Sequence, residues 1–152
     1  YCKNMEMYCI NLFHYDYCFN NRIIYIVMTE ELVTLETAKL LKEKGFNWKC
    51  EHIIGCNKVI TKYDLPQSMS CCTEIDNESV EFLCPTLYIA QKWLRENHSI
   101  HIAVDFNQYG RWYYRLYDIK DYDFLSETEG DKIYKSYEEA LEAGIQEALK
   151  LI

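Results

Sequence analysis

Proline, glycine, long apolar runs and positive charge are all scarce in this chain, and each shortage removes a class of protein. Two Pro and five Gly among 152 residues leave no Pro- or Gly-rich low-complexity stretch. Nowhere do apolar residues run to the roughly eighteen that a membrane-spanning helix needs, and the start lacks the basic, apolar and small-residue succession of a secretory leader. The chain therefore reads as a soluble, cytoplasmic protein. Lys and Arg number 16 against 24 Asp and Glu, so the net charge is -8. That balance disfavours direct nucleic-acid binding, which clustered basic side chains drive. No Gly-rich phosphate loop, G-x-S-x-G, H-E-x-x-H or Cys/His pair with an orienting group is present, so no catalytic residue and no cofactor are assigned.

What is there suits a packed domain. A hydrophobic share of 49% with 26% charged residues is enough, at this length, to bury one core without disulfides. The best-specified stretch is 84–117. Pro85 is placed at the first helical position, where its missing N–H costs nothing. Leu87, Ile89, Ala90, Trp93 and Leu94 then form one apolar stripe, and Asn97 and His98 are expected to end the helix. Directly afterwards Ile100, Ile102 and Val104 alternate with His101, Ala103 and Asp105, the period of a half-buried strand. A polar turn at 107–110 leads to a second alternation, with Trp112, Tyr114 and Leu116 opposed to Tyr113, Arg115 and Tyr117. The first set of each strand is expected to pack under the helix.

Around this centre, Thr34 caps a predicted helix at 35–44 that Gly45 stops. Extended segments at 49–54 and 58–63 flank Gly55-Cys56-Asn57 and read as a hairpin. Residues 64–79 read as a loop, 80–83 as a short strand, and 119–135 as an acidic connection anchored by Tyr122, Phe124 and Ile133. Ser136 with Glu139 predicts a capping box for a closing helix whose apolar face is Leu141, Ile145, Ala148, Leu149 and Ile152. The expectation is a single α+β domain over 28–152, a mostly antiparallel sheet of four or five strands with about three packed helices.

Residues 1–27 differ in kind. Lys3 and Arg22 balance Glu6 and Asp16, and the segment is crowded with Tyr, Cys, Asn, Phe and Ile, the residues AT-rich codons supply. The preferred reading is an upstream extension read through in frame, with the start at Met28. The alternative is a strand at 22–27 loosely attached to a sheet edge.

Several candidate sites follow. Cys50, His52, Cys56, Cys71 and Cys72 are the residues a zinc ion would take, although their spacing does not match paired C-x2-4-C knuckles and free thiols are the favoured reading. His98, His101 and Asp105 are histidine and carboxylate candidates, yet about 13 Å of strand separates His101 from Asp105, too far for one ion. Tyr109, Tyr113, Arg115 and Tyr117 make a row of tyrosines beside an arginine, a composition suited to a protein partner, a sugar or a base. The acids at 118–131 read as a solvated charge run, with cation binding or phosphate imitation as minor alternatives.

Three segments, VTLETAKLLKEKGFNW at 33–48, PTLYIAQKWLRENHSIHI at 85–102 and YKSYEEALEAGIQEALKLI at 134–152, resemble a family of small uncharacterised proteins from Bacteroides-type gut bacteria, their phages and mobile elements. The resemblance covers nearly everything from Met28 onward. It implies a phage or mobile-element gene product working inside a bacterial cell on a host or phage protein, and it implies no catalytic residues. The functional expectation is a protein-interaction or accessory module. The alternative is a small-ligand binder or enzyme with its site between the central hairpin and 64–83.

Overall fold

A computed structural model describes residues 30–152 except 77, 129 and 131, together with a two-residue antiparallel ladder of Cys18–Phe19 (β1) and Arg22–Ile23 (β2). The expectations for the remainder of 1–27, including the start at Met28, lie outside the described residues.

Three helices form where a hydroxyl can cap them. Thr34 accepts from the Thr37 N–H at 3.4 Å and opens α1, Leu35–Glu43. Gly45, at φ 84°, closes it: the Gly45 N–H donates to Lys42 and the Phe46 N–H to Leu41, satisfying two orphan carbonyls. Thr86, not Pro85, begins α2, Leu87–His98, because its Oγ1 accepts from the Ile89 N–H at 3.3 Å and proline has no such acceptor. Pro85 instead lends its carbonyl to the Val33 N–H at 3.0 Å, in a segment where residues 31–33 run beside 85–87. The helix also ends later than expected, at Ser99 in the left-handed region (φ 59°). Asn97 and His98 belong to its last turn, with the Asn97 amide donating to the Trp93 carbonyl. Ser136 opens α3, Tyr137–Lys150, and accepts from the Glu139 N–H at 3.1 Å, while the Glu139 carboxylate accepts from the Lys135 N–H one residue upstream of the cap.

The strands divide into separate antiparallel ladders rather than one sheet of four or five. Cys50–Gly55 (β3) pairs with Ile60–Gln67 (β4) on one side and Glu81–Leu83 (β7) on the other. Ile100–Phe106 (β8), Trp112–Asp118 (β9) and Asp123–Glu127 (β10) form the second three-stranded sheet. Residues 64–79 hold more structure than a loop: β4 runs on to Gln67, a single 3-10 turn covers Met69–Cys71, and Glu74–Ile75 (β5) pairs with Glu78–Ser79 (β6). That last ladder is tied to α1 by Lys42, whose Nζ lies 2.8 Å from Glu74.

The helices join the two sheets. α3 lies across β8 and β9 and touches α1 and α2, α2 also packs on β8, and α1 rests on β7 and β3. The expected inward set holds, with Ile100, Ile102, Tyr114 and Leu116 buried and Val104 and Trp112 half-buried, though α3 as well as α2 covers them. Each such aliphatic side chain stabilises the fold by about 1.5–3 kcal/mol when fully buried. Trp93 and Phe46 meet edge-on at 5.5 Å, extending this core toward α1. One contact sets the sheet-to-helix distance. A Cβ added at Gly144 would lie 2.8 Å from Ile102 Cγ2 and 3.2 Å from Tyr114 Cβ, so α3 approaches the strands as closely as a glycine permits.

Candidate functional site

The turn between β8 and β9 decides which side chains meet on the outer face of that sheet. The Asn107 carboxamide oxygen accepts from the Tyr109 and Arg111 N–H groups, and Gly110 takes the left-handed φ of 77°. The register that follows sets Asp105 opposite Tyr113, Ala103 opposite Arg115 and His101 opposite Tyr117. Antiparallel partners share a face, so these six residues point away from α2 and α3. β10 then places Phe124 opposite Tyr117 and Glu127 opposite Arg115 on the same side.

On this face the side chains hold one another. Arg115 Nη2 donates to the Tyr113 hydroxyl at 2.6 Å and Nη1 to the Tyr117 hydroxyl at 3.4 Å, while the Tyr113 hydroxyl donates to Asp105 Oδ2 at 3.2 Å. The guanidinium also sits 5.1 Å from the Tyr113 ring centroid and 3.6 Å from Asp105. Hydrogen bonding to Tyr113, and next to Tyr117, raises the Arg115 pKa above its already high ordinary value, so its charge is constant across the working pH range. The Tyr117 and Phe124 rings meet edge-on at 5.9 Å. The arrangement is a pre-ordered aromatic platform with one fixed cation at its centre and carboxylates at its rim. Holding the rotamers in advance removes part of the entropy cost of binding. Among the described residues, the helices that pack most on this sheet, α2 and α3, lie against its other face.

Tyr113, Arg115 and Tyr117 are thus brought together, whereas Tyr109 stands at the hairpin tip with 76% of its surface exposed. Asp105, considered for metal binding, serves as the acceptor of the platform. His101 shares the face, while the His98 ring packs against Trp93 at 4.6 Å, where burial lowers its pKa. The acidic connection contributes strand β10, which the sequence reading missed. Its expected anchors are not anchors: Tyr122 is 94% exposed, and Phe124 and Ile133 are exposed too, while half-buried Tyr134 bridges to Trp112 instead.

The zinc candidates do not converge. Cys50 is buried on β3 and His52 is half-buried nearby, Cys56 lies exposed in the following turn, and Cys71 and Cys72 sit on and after the 3-10 turn. Among the described residues, no three His, Cys, Asp or Glu side chains are grouped so as to hold a metal ion. Burial, with Cys84 and Cys72 nearby, pushes the Cys50 thiol up to about 12, and burial with Glu142 nearby does the same to Cys84. Hydrogen bonds from the Ser68 backbone and side chain lower exposed Cys71. Alkylation mapped by peptide mass should therefore label Cys71 early and Cys50 and Cys84 only on unfolding. Unfolding also frees Cys50 and Cys84 to ionise near their ordinary 9.0, so the unfolded chain sheds protons that the folded one keeps until about 12. Stability should accordingly fall as pH rises through that window, measured by urea unfolding at each pH.

A cavity of about 540 Å³ opens between Leu32, the start of α2 and the first half of α3. A second, about 280 Å³, lies by Cys50, His52 and Thr86. The third, about 300 Å³, adjoins Arg111, Trp112 and Glu127 at the end of the second sheet. Comparison with protein-family models, curated proteins and solved structures gave no match. No helix among the described residues is long and apolar enough to cross a membrane.

Proposed function

We propose that the protein is a small interaction or accessory module, of phage or mobile-element type, that engages a protein partner through the outer face of β8, β9 and β10. The observation carrying this reading is the Asp105–Tyr113–Arg115–Tyr117 network, held in place on the sheet face opposite α2 and α3. Tyrosine and arginine are the residue types that dominate binding energy at protein interfaces. The rim carries Asp105 and Glu127 in a chain of net charge -8, so the complementary partner presents an apolar or planar group flanked by basic residues. The origin rests on the resemblance of 33–48, 85–102 and 134–152 to the Bacteroides-associated family.

The test is affinity capture from the host with the wild type beside a Tyr113→Ala/Tyr117→Ala variant of unchanged circular dichroism. A partner retained by the wild type and lost by the variant supports the reading. A partner captured equally by both, or no reproducible partner, overturns it.

A further inference from the structure

The first sheet ends on an uncovered edge. β4 lies outermost in the order β4-β3-β7, and every residue from 60 to 66 is exposed, Ile60, Tyr63 and Leu65 among them. An exposed edge strand is a template for another chain. Pro66 suits such an edge, since it has no N–H to give to a central ladder.

The main chain turns outward at alternate residues. The His52 carbonyl accepts from the Cys84 N–H on β7 at 2.9 Å, so Lys62, opposite His52, directs its own N–H and C=O to the free edge. The Val59 carbonyl accepts from the Gly55 N–H at 3.0 Å, which leaves Ile60 outward with Lys62. Beyond Lys62 the register jumps to Cys50 with Gln67, and Tyr63, Asp64, Leu65 and Pro66 have no β3 residue opposite them. Alternation carried along the strand turns the Asp64 main chain outward as well, while the Leu65 carbonyl is taken by the Gln67 amide at 2.6 Å.

The side chains select what pairs there. Laid antiparallel on itself about Tyr63, the strand sets Lys62 opposite Asp64 and Ile60 opposite Pro66 on one face, and Thr61 opposite Leu65 and Tyr63 opposite its own copy on the other. Charge meets opposite charge, and the outward main chains of 62 and 64 meet in the same register. Centring on Asp64 instead would oppose two aspartates. The β3–β4 turn and β4 carry Lys58 and Lys62 against Asp64 alone in a chain of net charge -8, so two copies approach here without the repulsion of the acidic β10 edge. Glu51, 3.8 Å from Lys62, is an exposed pair and a weak competitor.

We propose that two copies of the chain associate across β4 as an antiparallel twofold dimer, with Lys62 of each copy facing Asp64 of the other. The contact is separate from the tyrosine face and does not depend on it. Sedimentation equilibrium of the full chain tests it, in a thiol reductant so that exposed Cys56 and Cys71 cannot cross-link. Expected is a reversible monomer–dimer equilibrium for the wild type. Lys62→Glu and Asp64→Lys should each weaken it at least about tenfold, because two symmetry-related pairs then become repulsive. An equimolar mixture of the two variants should recover the dimer, each introduced charge facing an opposite one, and that recovery excludes misfolding as the cause of the loss. A wild type that stays monomeric at millimolar concentration, a dimer that both single variants keep, or a mixture that associates no more tightly than either variant alone would overturn the proposal.

Discussion

Gly144→Leu should fail to reach the native state, and Gly144→Ala should be less stable than wild type by about 1–3 kcal/mol, the usual range for overpacking a filled core. Intrinsic preference points the other way: an interior helix glycine replaced by alanine gains about 1 kcal/mol on propensity alone. Packing wins here because the added methyl would stand 2.8 Å from Ile102 Cγ2 and 3.2 Å from Tyr114, and both residues are buried. Ile102 is β-branched and stiff at χ1, so it cannot turn aside cheaply. A leucine would force α3 off β8 and β9, opening the contact that joins helices to sheet. Urea unfolding reads both variants; an alanine variant as stable as wild type or more so would show that α3 has room to spare.

Tyr113→Ala/Tyr117→Ala should leave the fold intact and weaken partner binding by about thirtyfold or more, the scale of losing an interface hot spot. Neither ring belongs to the buried core, both being half-exposed on the outer face. Removing them also strands Arg115, which loses the ring beneath it and the two hydroxyls that fix its guanidinium. Arg115→Lys should for that reason behave as a partial version of the same change, because an ammonium neither bonds both tyrosines in one plane nor stacks as well. Affinity measured on the captured partner, with thermal midpoints as the folding control, checks both variants. A lysine variant that binds like wild type would mean that charge alone matters at this position.

Much of this was legible before any coordinates, for definite reasons. The switch from helical to alternating period near Ser99 located α2, β8 and β9, and the alternation assigned Tyr113, Arg115 and Tyr117 to one face. Asp105 was not countable from the turn: a four-residue turn at 107–110 would pair 105 with 112, whereas the hairpin closes one residue later and sets 105 opposite 113. β10 was hidden because Asp123, Ser126 and Glu127 are poor strand formers, and a register shift between Phe124 and Ser126 breaks the alternation. Pro85 misled about the start of α2 since a proline at the first turn and a threonine cap are both common, and only the hydrogen bond decides between them. Glu142 and Gly144 gave no local signal. One is defined by Thr34 and Thr37, more than a hundred residues away, and the other by Ile102 and Tyr114 on a different element.

Hydroxyl-radical footprinting of the protein with and without its captured partner is the most direct measurement of where function resides. Tyr113, Tyr117 and Phe124 should be oxidised more slowly in the complex, while Tyr63 on β4 and Tyr88 on α2, both exposed and away from the platform, keep their free-protein rates. Protection of Tyr63 or Tyr88 with Tyr113, Tyr117 and Phe124 unchanged would contradict the assignment of the binding face to β8, β9 and β10.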